Sequence, residues 1–278
     1  MIEKTINNFS LEQILKSGQC FRMKEIRKNL FEIIKGKQYL RVFQKGSKVY
    51  FYCTEKEYEE IWKEYFDLDT DYGAFIKQAD PGDKYLQDAI RYGSGIRILH
   101  QEVWEMIVSF IISQQNNISR IRKCIENICE KYGEELKTEE GDPYYSFPLP
   151  EAFAVLEEDE LKECNLGYRS KYVVRTAKMI TEGRFDLEKI KTLPYEEARN
   201  ELLQLFGVGV KVADCICLFG LHHLQAFPVD THIKQAVNAH YSGDFPREKY
   251  QGTEGVMQQY IFFYELYGKK EKENDENV

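Results

Sequence analysis

Two side chains with complementary chemistry stand 19 residues apart, Lys211 and Asp230. Lys211 follows a Gly-Val-Gly turn (Gly207, Val208, Gly209) between two apolar-periodic segments. The two glycines permit a tight connection with positive φ between helices. A hairpin of this kind leaves backbone N–H groups free at the start of its second helix, where the helix dipole also favours an anion such as phosphate. Contacts made by backbone amides hold DNA without reading its sequence. At a helix N-terminus the dipole disfavours a positive charge on Lys211. Desolvation acts in the same direction, and both favour the neutral amine that nucleophilic attack needs. Asp230 lies in a Pro-Val-Asp-Thr-His loop whose Pro228 sets the direction of the chain. An amine and a carboxylate facing each other make a nucleophile and its electrostatic partner. Either feature alone is ordinary, since Gly-Val-Gly turns are common and a lysine after one is usually solvated.

Other residues gain meaning only from their surroundings. Cys215 lies one helical turn beyond Lys211, so both can face one pocket; alone it reads as a core cysteine. Gln258 and Phe262 are likewise four apart, although Gln259 and Phe263 offer a competing register. Ser113-Gln-Gln-Asn-Asn-Ile-Ser-Arg120 is a polar island between two apolar helices, which by itself reads as a capped turn. Leu166-Gly-Tyr-Arg169 reads as a helix start, Gly18 in Ser17-Gly-Gln-Cys-Phe-Arg22 as a turn residue, and His232 as a structural histidine.

The elements that must position these residues fall into two groups. Residues 1–54 read as strands: Cys20–Lys24, Leu30–Ile34, Tyr39–Phe43 and Lys48–Tyr52 are β-branched and aromatic. Gly36 and Lys45-Gly46-Ser47 supply turns, and a helix over about 55–65 covers the sheet. Helical patterns follow at 72–78 and 84–92. After Gly93-Ser-Gly95 the chain is almost wholly helical. Val103, Trp104, Ile107, Val108, Ile111 and Ile112 form one buried helix, and Ile118, Ile121, Ile125 and Ile128 line the next, to about Tyr132. Residues 131–150 read as a polar surface loop. Further helices are expected at 158–163, 168–182, 195–205, 211–222, 230–241 and 252–267. The domain reading is therefore 1–95 for the sheet, 96–268 for a helical body with its hairpin at about 195–222, and 269–278 for a charged, mostly disordered tail.

Composition bounds the function. With 43% hydrophobic and 14% aromatic residues the chain is globular rather than disordered. No apolar run reaches the ~20 residues of a membrane span, and MIEKTINNFS lacks the apolar core of a signal peptide. A cytoplasmic, DNA-associated protein with no membrane partner is expected. Seven scattered cysteines exclude a disulfide framework, and no Cys-x-x-Cys pair is present. No side-chain metal site is expected. A net charge of -8 opposes general affinity for nucleic acid. The basic residues cluster, however. Arg169, Lys171, Arg175 and Lys178 lie in a stretch without acids, and Arg120, Arg122 and Lys123 form a second group. One basic face suffices for binding.

Taken whole, the string from Leu202 to His232 resembles the helix-hairpin-helix, Gly/Pro-rich loop, Asp superfamily of DNA glycosylases. The run Lys-Val-Ala-Asp-Cys-Ile-Cys (Lys211 to Cys217) is similar to the 8-oxoguanine DNA glycosylase/AP lyase branch. The resemblance implies an α+β fold: an N-terminal antiparallel sheet like the TATA-binding protein, then a mostly helical, two-lobed body. It implies that the carbonyl of Gly18 accepts from N7–H of 8-oxoguanine, which guanine lacks. An unmatched acceptor there costs ~1–3 kcal/mol. By the same resemblance Cys215 and Phe262 sandwich the extruded base, Gln258 reads its Watson–Crick edge, and His232 contacts DNA near the lesion. Gln115 and Asn116 belong to the segment that fills the vacated space; Gln115 stands where the family usually has Asn. Arg120 matches an arginine that recognises the opposite cytosine, Tyr168 a wedge beside that base, and Arg169 its hydrogen-bonding neighbour. Wedging offsets the few kcal/mol of unstacking that flipping demands.

The expected activity is excision of 8-oxoguanine opposite cytosine in duplex DNA by a monomer. Lys211 attacks C1′, Asp230 stabilises the charge developing on the sugar, and a Schiff base permits β-elimination. No organic cofactor is expected; in the family the hairpin's carbonyls can hold a cation. A glycosylase for alkylated bases that uses water, or a hairpin protein that only binds DNA, are the alternatives. Lys211 argues against the first, and Lys211 with Asp230 against the second. The superfamily's iron–sulfur cluster is excluded, because no cysteine follows Cys217.

Overall fold

The computed structural model describes residues 1–269. Five strands form one antiparallel sheet: β1 (Ile2–Thr5), β2 (Met23–Arg27), β3 (Leu30–Lys35), β4 (Gln38–Lys45) and β5 (Lys48–Tyr52), ordered β1-β5-β4-β3-β2. Left-handed residues close each hairpin, Asn29 (φ 64°), Gly36 (φ 56°) and Gly46 (φ 61°). Alternation puts Phe31, Ile33, Leu40, Val42, Val49 and Phe51 on one buried face. Tyr58 and Trp62, from a helical stretch over residues 55–65 with a π-turn in its middle, pack on that face with Phe66.

The sheet departs from expectation at its start. β2 begins at Met23, not Cys20: a short helix, Leu11–Lys16, capped by Ser10, is followed by turns and bends over residues 17–22, where Gly18 is left-handed. β1 was not expected; it pairs in register with β5, Ile2 opposite Phe51.

The helical body is built on Val103–Ser113, whose first ten residues are all buried. The Ile118–Tyr132 helix follows, with the Asn117 side chain accepting from Arg120 N at its start. Ser170–Thr181, Tyr195–Leu202, Val210–Phe219, Thr231–His240 and Glu254–Phe263 complete the main helices. Lys84–Gly93 packs against Glu254–Phe263. The segment expected as a loop over 131–150 contains a two-stranded ribbon, Glu135–Lys137 with Pro143–Tyr145, and a helix, Pro150–Ala154. Val210–Phe219 stops earlier than expected, so His222 lies outside it, in a left-handed conformation (φ 55°). From residue 270 the charged tail lies outside the described residues.

Two cores result. Phe9 through Phe66 and Leu99 surround the sheet, and a larger cluster holds the helices. Arg22 and Glu105 meet between them, 3.8 Å apart and nearly sealed from solvent. Burial pushes the Glu105 carboxyl up to about 7, with Arg22 pulling the other way. No helix among the described residues is long and apolar enough to cross a membrane.

Candidate active site

Lys211 is the second residue of Val210–Phe219, so it sits in the first turn, half-buried. Its Nζ stands 5.5 Å from the ring centroid of Phe110, on the central helix. Cys215, buried, lies one turn on, and Lys211 acts on its thiol electrostatically. Burial pushes that thiol up, Lys211 pulls it down, and the charges of Asp214 and then Asp230 raise it. The amine and the carboxylate therefore act on one sulfur.

Asp230 is the N-cap of Thr231–His240, and its Oδ1 accepts from Ile233 N at 2.8 Å. A helix N-terminus is a favourable place for a carboxylate. Asp230 and Lys211 make no ion pair among the described residues. They line separate hollows that share Val229: one of about 520 Å³ beside Asp230 and one of about 340 Å³ beside Lys211.

Only one glycine of the hairpin needs its special backbone. Gly207 is left-handed (φ 77°), and a Cβ there would lie 2.6 Å from the Tyr172 ring. Gly209 is extended (φ -96°), against the expectation of positive φ at both. It caps the helix without a side chain and faces open space. What its missing side chain provides is access, since the first-turn N–H groups lack intrahelical partners and stay open to an anion.

The rest of the hairpin rests on residues that the sequence reading did not single out. Asp214, buried in an apolar run, accepts from Arg199 Nε at 2.6 Å and Tyr195 OH at 2.9 Å. Its carboxyl is raised by burial, against these two partners. The bonds clip the two hairpin helices together. An acid within Val-Ala-Asp-Cys-Ile-Cys was the available signal, because a buried carboxylate requires a partner. Gln114 donates to the carbonyls of Gly207 at 2.9 Å and Ile111 at 3.1 Å, joining the polar island to the hairpin.

A second group gathers around Gly18, left-handed at φ 74°. A Cβ on Gly18 would lie 3.3 Å from Phe262 Cε1, so the ring rests directly on the glycine. The Gly18 carbonyl accepts no hydrogen bond among the described residues. The loop is fixed by buried Gln19, whose amide donates to Ser17 Oγ and the Arg97 carbonyl, both at 2.9 Å, and accepts from Leu99 N. His232 approaches Phe262 edge-to-face at 6.2 Å. Phe263 instead packs inward against Tyr92 and Tyr267, so Phe262 is the ring that faces Gly18. Gln258 is buried; it donates to the Pro228 carbonyl at 3.0 Å and accepts from Gln259 at 3.1 Å.

The third group faces solvent. Gln115 is exposed and left-handed (φ 48°). Asn116 donates to the Ile112 carbonyl at 3.1 Å, closing the central helix. Arg120 is exposed, with a guanidinium free of partners among the described residues. Tyr168 is 43% exposed, with the Arg169 guanidinium 4.5 Å from its ring centroid. Arg169 itself is 5% exposed. It donates to the carbonyls of Gln114 (2.9 Å), Gln115 (3.2 Å) and Leu166 (3.3 Å). Here Arg169 ties the tyrosine turn to the polar island, with four of its five N–H groups engaged.

Comparison with known proteins identifies the family. Residues 1–107 match the family described as 8-oxoguanine DNA glycosylase, N-terminal domain. Residues 108–257 match the HhH-GPD superfamily base excision DNA repair proteins. A Clostridium acetobutylicum 8-oxoguanine glycosylase/lyase, crystallised with double-stranded DNA containing cytosine opposite 8-oxoguanine, is 38% identical. It superposes with a TM-score of 0.90 over 96% of this chain and 98% of that one. The Saccharomyces cerevisiae N-glycosylase/DNA lyase is 40% identical over 158 residues, 53% of this chain but only 42% of the yeast protein. A Methanothermobacter thermautotrophicus protein named as a probable N-glycosylase/DNA lyase is 29% identical over 233 residues, 73% of this chain and 72% of that protein. With a sheet domain and a hairpin domain both matched, the chain belongs to the 8-oxoguanine DNA glycosylase family of the HhH-GPD superfamily.

Proposed function

We propose that this protein is a bifunctional DNA glycosylase that removes 8-oxoguanine paired with cytosine and then cleaves the strand at the abasic site. The carrying observation is Lys211 in the first turn of the hairpin's second helix, beside Phe110, with Asp230 capping the following helix and Val229 lining the hollows of both. The neutral amine attacks C1′ and the glycosidic bond breaks, its electron pair leaving with the base. Asp230 stabilises the positive charge that develops on the sugar. The amine loses a proton and the sugar ring opens to a Schiff base. Loss of a C2′ proton then expels the 3′-phosphate, and water releases the lysine.

The base is flipped into the space between Cys215 and Phe262. Because Phe262 rests on Gly18, the ring must withdraw to admit a purine. The unpartnered Gly18 carbonyl then accepts from N7–H of the oxidised base, and Gln258 exchanges an internal amide bond for the base's Watson–Crick edge. Tyr168, Gln115 and Asn116 occupy the vacated stack, Arg120 reaches the opposite cytosine, and Arg169 holds this segment and turns to that base once the helix opens. His232 meets the DNA beside the lesion, and Gly207 and Gly209 present the hairpin amides to a phosphate. A cation on the hairpin would use carbonyls that already accept one N–H each, at Leu205 and Gly207, through their second lone pairs. The chemistry requires no organic cofactor, no membrane and no second copy of the chain, and its place is with intracellular DNA.

Borohydride trapping tests the reading. With an 8-oxoguanine·cytosine duplex the protein should form a covalent adduct that Lys211→Gln abolishes. Base release without an adduct would instead assign water as the nucleophile, and binding without base release would leave only a DNA-binding hairpin.

A further inference from the structure

Away from the lesion pocket, three side chains with metal-binding atoms converge where the sheet unit meets the hairpin helix. Asp67 follows the 55–65 helical stretch, His100 precedes Val103–Ser113, and His222 follows Val210–Phe219. His100 Nε2 lies 3.6 Å from one carboxylate oxygen of Asp67, and His222 Nε2 lies 3.4 Å from the other. The two imidazoles stack with centroids 3.6 Å apart, and one donor atom from each residue falls within 4.8 Å of the others.

Zinc–nitrogen and zinc–carboxylate bonds of about 2.0–2.2 Å give a tetrahedral set edges of about 3.4 Å. The His222–Asp67 distance has that length, and His100 stands 3.6 Å from the other oxygen of the same carboxylate, so the set closes once the carboxylate presents one oxygen to both rings. The carboxylate is held by outer partners: Thr70 Oγ1 donates to one oxygen at 2.6 Å and Tyr72 OH to the other at 2.9 Å. Metal sites orient their ligands in this manner. Arg97 spends its charge on the backbone, donating to the carbonyls of Asp67 and Thr70. The histidine side chains are 31% and 17% exposed and that of Asp67 8%, so an ion enters from solvent toward a buried charge.

We propose that Asp67, His100 and His222 bind zinc or a similar borderline divalent ion, with water completing the shell. The ion displaces the present contacts of the ring nitrogens, that of His100 Nε2 with the carboxylate and those of His222 Nε2 with the carboxylate and, at 3.2 Å, the Ile98 carbonyl; each ring releases one proton or changes tautomer, and the stack opens by rotation about Cβ–Cγ. The site lies at the far end of the helix that carries Lys211. It fastens that helix to the sheet unit and takes no part in the chemistry.

The test uses full-length, untagged, metal-stripped protein titrated with Co²⁺. One equivalent should produce d–d bands of four- or five-coordinate strength without sulfur-to-cobalt charge transfer, and Zn²⁺ should bleach them. Zn²⁺ should also raise the melting temperature. His222→Asn should abolish the bands. Thr70→Val, which leaves all three ligands in place, should weaken Zn²⁺ binding about tenfold. A colourless titration of the wild-type protein, charge-transfer bands assigning the ion to cysteine, or wild-type affinity retained in His100→Asn or His222→Asn would each overturn the proposal.

Discussion

The two sides of the site are built differently. On the side proposed to hold the lesion, Gly18, Cys215, Gln258 and Phe262 are buried or half-buried, and the loop beneath Gly18 is pinned by a fully bonded glutamine. On the side proposed to meet the opposite strand, Gln115, Arg120 and Tyr168 stand in solvent, and the buried Arg169 holds the carbonyls of Gln114, Gln115 and Leu166. A pocket that separates guanine from its oxidised form by a single proton must be rigid beforehand, because a yielding acceptor would satisfy both. A surface that enters a duplex must instead project. The difference suggests that discrimination resides in fixed backbone and that strand opening resides in exposed side chains.

The contrast can be broken or sharpened by substitution. The largest effect is expected from Asp230→Asn. Asparagine caps a helix about as well as aspartate, so thermal stability should hold while single-turnover base release falls by about 10²–10³-fold. Asp230→Ala should add a stability loss of about 1 kcal/mol, separating the charge from the cap. Next is Gly18→Ala. Its left-handed backbone costs about 1–2 kcal/mol with any side chain, and the new methyl meets Phe262. Excision should drop roughly ten- to a hundredfold, with about two powers of ten set by 2.7 kcal/mol at most. An unchanged rate would mean that the pocket is looser than drawn here.

Arg169→Ala should cost about 2–3 kcal/mol in denaturant unfolding, since it removes charge-assisted bonds to three carbonyls. Excision opposite the four bases should also become more uniform. Lysine should fail to rescue, because one ammonium cannot span that fork. Tyr168→Ala should be the mildest for the fold, within about 0.5 kcal/mol of wild type, while affinity for lesion duplex falls up to about tenfold. If Tyr168→Ala instead unfolded the protein, its exposure would have been misread as function.

Much of this was legible in the sequence because it was local. The hairpin, Lys211 in a first turn, the central apolar helix and four of the five strands announce themselves through spacing and residue type. Phe262 was legible only to within one register, and the packing of Phe263 against Tyr92 decides it. What escaped depends on distant partners. β1 is four residues long and pairs with a strand over 40 residues away. Gln19, Gln114 and Asp214 are ordinary until their acceptors arrive from other segments. The two glycines of the hairpin look equivalent in sequence, yet one answers to backbone strain and the other to open space. Asp67, His100 and His222 share no motif, and only the fold brings them together.

The side-chain amide of Gln114 reaches both the end of the central helix and the carbonyl of Gly207. The hairpin proposed to grip one strand's phosphates and the segment proposed to part the bases are thus braced by a single strut. On that proposal the two tools share one frame, like the jaws of a caliper.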